Sequence, residues 1–145
     1  MRGVFWNSDE LGDPAKHLAV NDMVRENKLD FIALLETDRS NFSTPFLTFL
    51  AGGFDYNWFC LPPHGRSGGV LVGFNKDTLE MQSVVAGDFC VKIHFKSKVD
   101  GFIWALVAVY GAAQDEKKPD FLSELVRICD GESPPMVVGG VISIL

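Results

Sequence analysis

An α/β fold of mixed, α+β type is the fold class this sequence predicts, and two observations carry it. Within the first 36 residues an apolar run, an amphipathic helical pattern and a second apolar run follow one another, as in a βαβ unit. From Tyr56 the pattern changes to short strand-like runs with turn residues between them, closed by one more helix and one more strand.

Gly3-Val4-Phe5-Trp6-Asn7 reads as the first strand. Asp13-Pro14 then supplies an N-cap with proline at the first helical position, and a helix is expected from Pro14 to Asn27. Leu18, Ala19 and Met23 share a face of it, widened by Val20 and Val24, so the helix is expected to pack on a sheet. Asp30 to Glu36 is the returning strand, and strands linked by such a crossover run parallel. Further strands are expected at Tyr56 to Cys60, Gly69 to Phe74, Leu79 to Ala86, Val91 to Phe95 and Phe102 to Tyr110, paired as antiparallel hairpins. Val91 to Lys96 alternates strictly, as a strand with one wet face should, whereas Ile103 to Val109 is continuously apolar and reads as buried on both faces. Val99-Asp100-Gly101 is the turn between them. A second helix is expected from Pro119 to Asp130, with Phe121, Leu122, Leu125, Ile128 and Cys129 at helical spacing and Gly131 as its stop. It feeds a last strand from Met136 to about Gly139.

With 145 residues, 47% hydrophobic content and 22% charge, the chain has enough apolar material for one core. A net charge of −6 argues against a protein that holds nucleic acid mainly through lysine and arginine, but leaves room for a nuclease working through a divalent cation. Cys60, Cys90 and Cys129 are odd in number and widely spaced, so they signal neither a disulfide framework nor a zinc site. No stretch approaches the roughly 20 apolar residues of a membrane span, and the first residues do not read as a signal peptide. The expectation is a soluble, intracellular protein, nuclear or cytoplasmic, with no membrane partner.

Glu36 is the most informative single residue. It places one carboxylate at the carboxyl end of an apolar strand, where open α/β sheets collect their ligands. On the residues alone it reads equally well as a metal or phosphate ligand and as the point where the strand meets water. Asn7 ends the first strand in the same way, and its plainer reading is a turn residue bonding its own backbone. Tyr110 ends the buried strand, and its plainer reading is a packed ring with its hydroxyl at the rim. His17, His64 and His94 lack ligand spacing, Gly65 to Gly69 lacks the order of a phosphate-binding loop, and no base lies near a cysteine in sequence.

Taken in order, Asn7 after a first strand, Glu36 after a βαβ crossover, Ser67-Gly68-Gly69, Val109-Tyr110 and Val137-Val138-Gly139-Gly140 resemble the endonuclease/exonuclease/phosphatase family. The segment from Trp58 to Gly69 makes the chain look most like the endonuclease domain of plant LINE-type (non-LTR) retrotransposons. The resemblance implies a four-layer α/β/β/α sandwich and a Mg²⁺-dependent phosphodiesterase that nicks DNA. It implies that Glu36 binds the metal, that Asn7 helps hold the scissile phosphate and that Tyr110 contacts the phosphate nearby. Mg²⁺ suits such a site, since it takes one or two carboxylates and fills its remaining positions with water and phosphate oxygens.

The departures from the family pattern are equally specific. Val141 stands where the family has an aspartate that activates water, and Ser143 where it has an asparagine. Losing a positioned acid or base costs about 10²–10⁴ in rate, which is roughly 3–5 kcal/mol of barrier. Leu35 replaces a glutamine, Ala112-Ala113 replace a proline and an asparagine, and the later Asp-His pair lies beyond Leu145. The expectation is therefore a single truncated domain over residues 1–145, the N-terminal half of the sandwich, with cleavage activity impaired or lost and DNA bound weakly at best. Such a half-domain should leave a sheet edge and apolar strand faces uncovered and so invite self-association. Two alternatives stand beside this reading: a non-catalytic interaction module, and a non-functional fragment of a retroelement gene whose residues 141–145 come from a frameshift or mis-splicing.

Overall fold

Asp13 starts the first helix as its sequence requires, its side-chain oxygen accepting from the Ala15 amide at 2.9 Å, with Pro14 next in line. In the computed structural model, which describes residues 1–63, 68–110, 118–130 and 134–140, this helix α1 (Pro14–Asn27) joins β1 (Gly3–Asn7) to β2 (Phe31–Leu35). The two strands are parallel, Gly3 opposite Phe31 and Asn7 opposite Leu35, so the βαβ expectation holds. A short helix α2 (Thr44–Leu50), capped by Ser43, follows; no pattern in the sequence had been assigned to it. Then come β3 (Tyr56–Leu61) and β4 (Val70–Asn75), antiparallel to each other, with β4 antiparallel to β2. The first sheet has the order β1-β2-β4-β3.

The second sheet is β5 (Leu79–Ala86), β6 (Cys90–Ser97), β7 (Ile103–Val109) and β8 (Met136–Gly140), in that order. Its first three strands form antiparallel hairpins, and β8 joins β7 in parallel after helix α3 (Lys118–Cys129). Gly131, expected as the stop of that helix, lies outside the described residues.

The period-two alternation of side chains divides every central strand between two cores. Phe31, Ala33 and Leu35 of β2 and Val70, Val72 and Phe74 of β4 face Val91, Ile93, Phe95, Trp104, Leu106 and Ala108 of the other sheet. Ile32, Leu34 and Leu71 face outward and pack with Val20, Val24 and Leu50 of α1 and α2. On the far side Cys90, Val107 and Val109 pack against Phe121 and Ile128 of α3. Helix, sheet, sheet and helix make the four-layer α/β/β/α sandwich.

Three details differ from the sequence expectations. The buried face of α1 is centred on Val20 and Val24, while Leu18 and Ala19 are exposed, because α1 lies on the sheet along that flank. The alternating face of β6 is wet only toward its far end: His94 and Lys96 are partly exposed, but Lys92 is only 7% exposed and its ammonium donates to the Ile128 carbonyl at 3.2 Å near the end of α3. In α3, Leu122 is exposed and Glu124 is buried. Total surface is 7706 Å², close to the roughly 7,400 Å² a folded monomer of this mass exposes. The faces of the central strands β2, β4 and β7 are covered, while apolar side chains such as Val85 on β5 and Ile103 at the start of β7 stay exposed. Exposure of strand side chains includes the edge strand β8, where Val137 and Val138 are each 45% exposed.

Leu106, fully buried between the sheets, should lose about 2–5 kcal/mol of unfolding free energy on change to alanine. Leu122→Ala on the exposed flank of α3 should change it by no more than about 0.5 kcal/mol. Chemical denaturation of both variants checks the layer assignment.

Candidate functional site

The parallel edges of the two sheets run in one direction. Met1 and Asp30, at the starts of β1 and β2, line the same cleft as Pro135, Met136 and Val137 at the start of β8. Further along, Gly139 stands so close to the Phe5 ring that a Cβ there would lie 2.4 Å from it. The carboxyl ends of β1, β2, β7 and β8 therefore share one end of the sandwich, and Asn7, Glu36 and Tyr110 all lie there. The C-terminal end of β3 and the turn between β5 and β6 complete that rim.

Glu36 leaves β2 in the left-handed region, with φ of 53°. For a residue with a Cβ that geometry costs roughly 1–2 kcal/mol, and it turns the chain sharply out of the strand. Both of its backbone groups are held: its amide donates to Gly69 O at 3.0 Å, and its carbonyl accepts from the Glu10 amide at 2.8 Å and the Ser8 hydroxyl at 3.3 Å. Gly68 presses against it, since a Cβ there would lie 2.7 Å from the Glu36 Cα. The carboxylate itself is half-buried and bonds no described residue. Strain extends around it. Asp9, Glu10 and Asp38 also have positive φ, and the hydroxyl of buried Thr37 has no partner, an omission that costs about 1–3 kcal/mol. Strain held in place by surrounding bonds is a feature of functional sites.

Asn7 sits beside Glu36 at the end of the neighbouring strand. Its Oδ1 accepts from the Asp9 amide at 3.1 Å, as a turn residue's does, which leaves the two Nδ2 hydrogens without a described acceptor. Lys16, from the first turn of α1, ties down the following loop by donating to Asp9 O at 2.6 Å and Glu10 O at 3.0 Å.

Tyr110 follows β7 in the other sheet. Its ring packs against the inter-sheet core and its hydroxyl donates to Gly87 O at 2.6 Å. Burial, and then the Glu124 carboxylate, hold its pKa well above the ordinary tyrosine value. Glu124 is the residue that sequence reasoning missed. It is a buried acid on α3 that accepts from the amides of Asp88 and Phe89 at 2.6 and 2.8 Å and from the Cys90 thiol at 3.3 Å.

The other candidates are structural here. His17 bonds Leu11 O at 2.8 Å and meets the Phe46 ring edge-on, and His94 bonds Ser83. His64, Arg66, Ser67, Ala112, Ala113, Val141 and Ser143 lie outside the described residues. The cleft at the starts of β1 and β8, about 420 Å³ in volume, is at the opposite end from Glu36. Among the described residues no three His, Cys, Asp or Glu side chains converge to enclose a cation. Glu36 thus offers a single unbonded carboxylate, which fits a cation such as Mg²⁺ that leaves most of its positions to water and substrate oxygens.

A four-layer sandwich with polar groups gathered at one set of strand ends defines a domain of the nuclease/phosphatase type. The chain belongs to the Endonuclease/Exonuclease/phosphatase family, which it matches over residues 3–140. Members of this family generally depend on a divalent metal. No curated protein matches the chain. Among solved structures it is similar to the human Nocturnin catalytic domain, with a TM-score of 0.67 at 17% identity, covering 97% of this chain and 62% of that one. It is also similar to a mannosyl-6-phosphatase of Bacteroides thetaiotaomicron, with a TM-score of 0.60 at 15% identity and coverage of 95% and 63%. A third is D. rerio TDP2 complexed with a single-strand DNA product, with a TM-score of 0.61 at 12% identity and coverage of 95% and 58%. The chain spans less than two thirds of each of these structures.

If the left-handed backbone at Glu36 is held for its side chain, Glu36→Gly should raise the unfolding free energy by about 1 kcal/mol. Gly68→Ala should lower it by about 1–3 kcal/mol through the clash with the Glu36 backbone. Denaturation curves read both, and a loss of stability in Glu36→Gly would remove the strain argument.

Proposed function

We propose that this chain is a phosphodiesterase-type domain derived from the endonuclease of a plant LINE-type retrotransposon, with DNA as the substrate class and its own cleavage activity reduced or lost. The observation that carries this reading is the gathering of Asn7, Glu36 and Tyr110 at one end of the sandwich, from three strands in two sheets. Glu36 would hold Mg²⁺, and when bound that ion would polarise a phosphodiester and offset charge on the leaving oxygen. Asn7 contributes donors: with its Oδ1 taken by the Asp9 amide and no acceptor for its amide hydrogens among the described residues, those hydrogens would meet an acceptor such as a phosphate oxygen. Tyr110 can give its proton to a phosphate only by releasing the Gly87 carbonyl. The complex of D. rerio TDP2 with a single-strand DNA product supports a nucleic-acid substrate. Val141 and Ser143, in place of the family's acid and amide, are the reason for reduced activity.

Incubated with supercoiled plasmid and Mg²⁺, the chain should nick no faster than Glu36→Ala does. Nicking that Glu36→Ala abolishes would keep the site and overturn the inactivity; nicking that survives the change would overturn the site itself.

A second reading is favoured by the exposed Val137 and Val138 on edge strand β8: self-association through that edge. In sedimentation velocity the chain should then show a concentration-dependent shift that Val137→Lys abolishes. A monomer at all concentrations would refute it.

A further inference from the structure

Among the described residues, the one fully bonded buried carboxylate near the rim belongs to none of the residues given a role in the proposed function. Glu124 is 7% exposed, lies midway along α3, and spends both of its oxygens on the β5–β6 turn: Oε1 on the Asp88 amide, Oε2 on the Phe89 amide and the Cys90 thiol. Arg127, one turn on and mostly exposed, is its distant counter-charge at 3.9 Å. Two backbone donors converging on a carboxylate fix the turn's conformation more strictly than a single bond would, because both peptide planes must face one group. That same turn holds Tyr110 at two points. The Gly87 carbonyl takes the phenol proton at 2.6 Å, and the Phe89 carbonyl takes the Tyr110 amide proton at 3.0 Å. Position 87 fits closely against the acid, since a Cβ there would lie 2.2 Å from the Glu124 Oε1 and would force the two apart.

We propose that Glu124 is the positioning residue of the candidate site: through the Gly87–Cys90 turn it sets where the Tyr110 hydroxyl stands at the strand-end rim. The proposal rests on the reading of Tyr110 as a site residue, but its geometry is tested without any reaction. The sequence of contacts is short. Helix α3 carries the acid, the acid orders the turn, and the turn carries the carbonyl that aims the phenol. The raised pKa of Tyr110 agrees, burial being its first cause and the Glu124 charge its second.

The chain has two tyrosines, so Tyr56→Phe leaves Tyr110 alone to be followed by tyrosinate absorbance. In that background the phenol should titrate well above the ordinary tyrosine midpoint of about 10. Adding Glu124→Gln should bring the midpoint down by at least one pH unit, a tenfold rise in acidity. Gly87→Ala keeps the charge on α3 but breaks its fit to the turn, since the new Cβ would meet the carboxylate oxygens and drive turn and carboxylate apart. It too should lower the midpoint, with circular dichroism confirming that the fold is kept. A fall in Glu124→Gln with none in Gly87→Ala would mean a charge effect only, and would overturn the positioning role, as would no fall in either. Should Glu124→Gln fail to fold, Gly87→Ala decides alone. In the unmodified chain, NMR should find the Asp88 and Phe89 amide protons shifted downfield and protected from exchange; ordinary, fast-exchanging amides there would also overturn the proposal. None of these readouts depends on metal binding or nicking, so failure of the functional reading and failure of this one are distinguishable.

Discussion

Everything in this fold follows from strands that are apolar on both faces. All five residues of β2 and all six of β4 are buried, and six of the seven in β7. A strand of that kind cannot leave one face in water, so each sheet needs an apolar layer on either side. The sheets supply it to one another on the inside, and α1, α2 and α3 supply it on the outside. With both faces of the central strands covered, polar side chains there have only the strand ends to go to. That constraint, more than any single residue, puts Asn7, Glu36 and Tyr110 at one rim.

The rim is expensive, and its bonds show why it holds. Four acidic residues, Asp9, Glu10, Glu36 and Asp38, adopt backbone geometry that disfavours side chains, within the two loops that follow β1 and β2. Cross-bonds between those loops offset the cost: Ser8 to Leu35 and Glu36, Glu10 to Glu36, Leu11 to Thr37, with Lys16 gripping the first loop from α1. The two loops are a single hydrogen-bonded unit, so the carboxylate of Glu36 is aimed by its backbone and not only by its rotamer.

Much of the fold was legible because burial on two faces leaves a simple mark, a run of five to seven apolar residues between turn signals. Every strand expected from the sequence is present within a residue or two of its bounds. Helix α2 was not legible, since seven residues hold too little helical periodicity to stand apart from a loop, and only Ser43 and Pro45 signal its start. The face of α1 was misjudged because apolar residues lie on more than one side of it, and only the sheet's position decides between Val20 and Leu18. Of the site, Glu36 could be found from its place at a strand end. Glu124 could not, because a lone acid inside an amphipathic helix normally faces water, and the amides that bury it lie 35 residues or more away in the chain.

Strands β1 and β8 lie on the same side of the sandwich, point the same way, and are each parallel to the one neighbour they have in the sheet among the described residues. Tension applied at the start of β1 and at the end of β8 would load both ladders along their length, so that all of their hydrogen bonds bear force together. Phe5 seated against Gly139 adds a mechanical stop between the layers. Pulled from those two points the domain should resist as a lap joint does, yielding at a high force in a single event. Pulled across the sheets it would unzip one bond at a time.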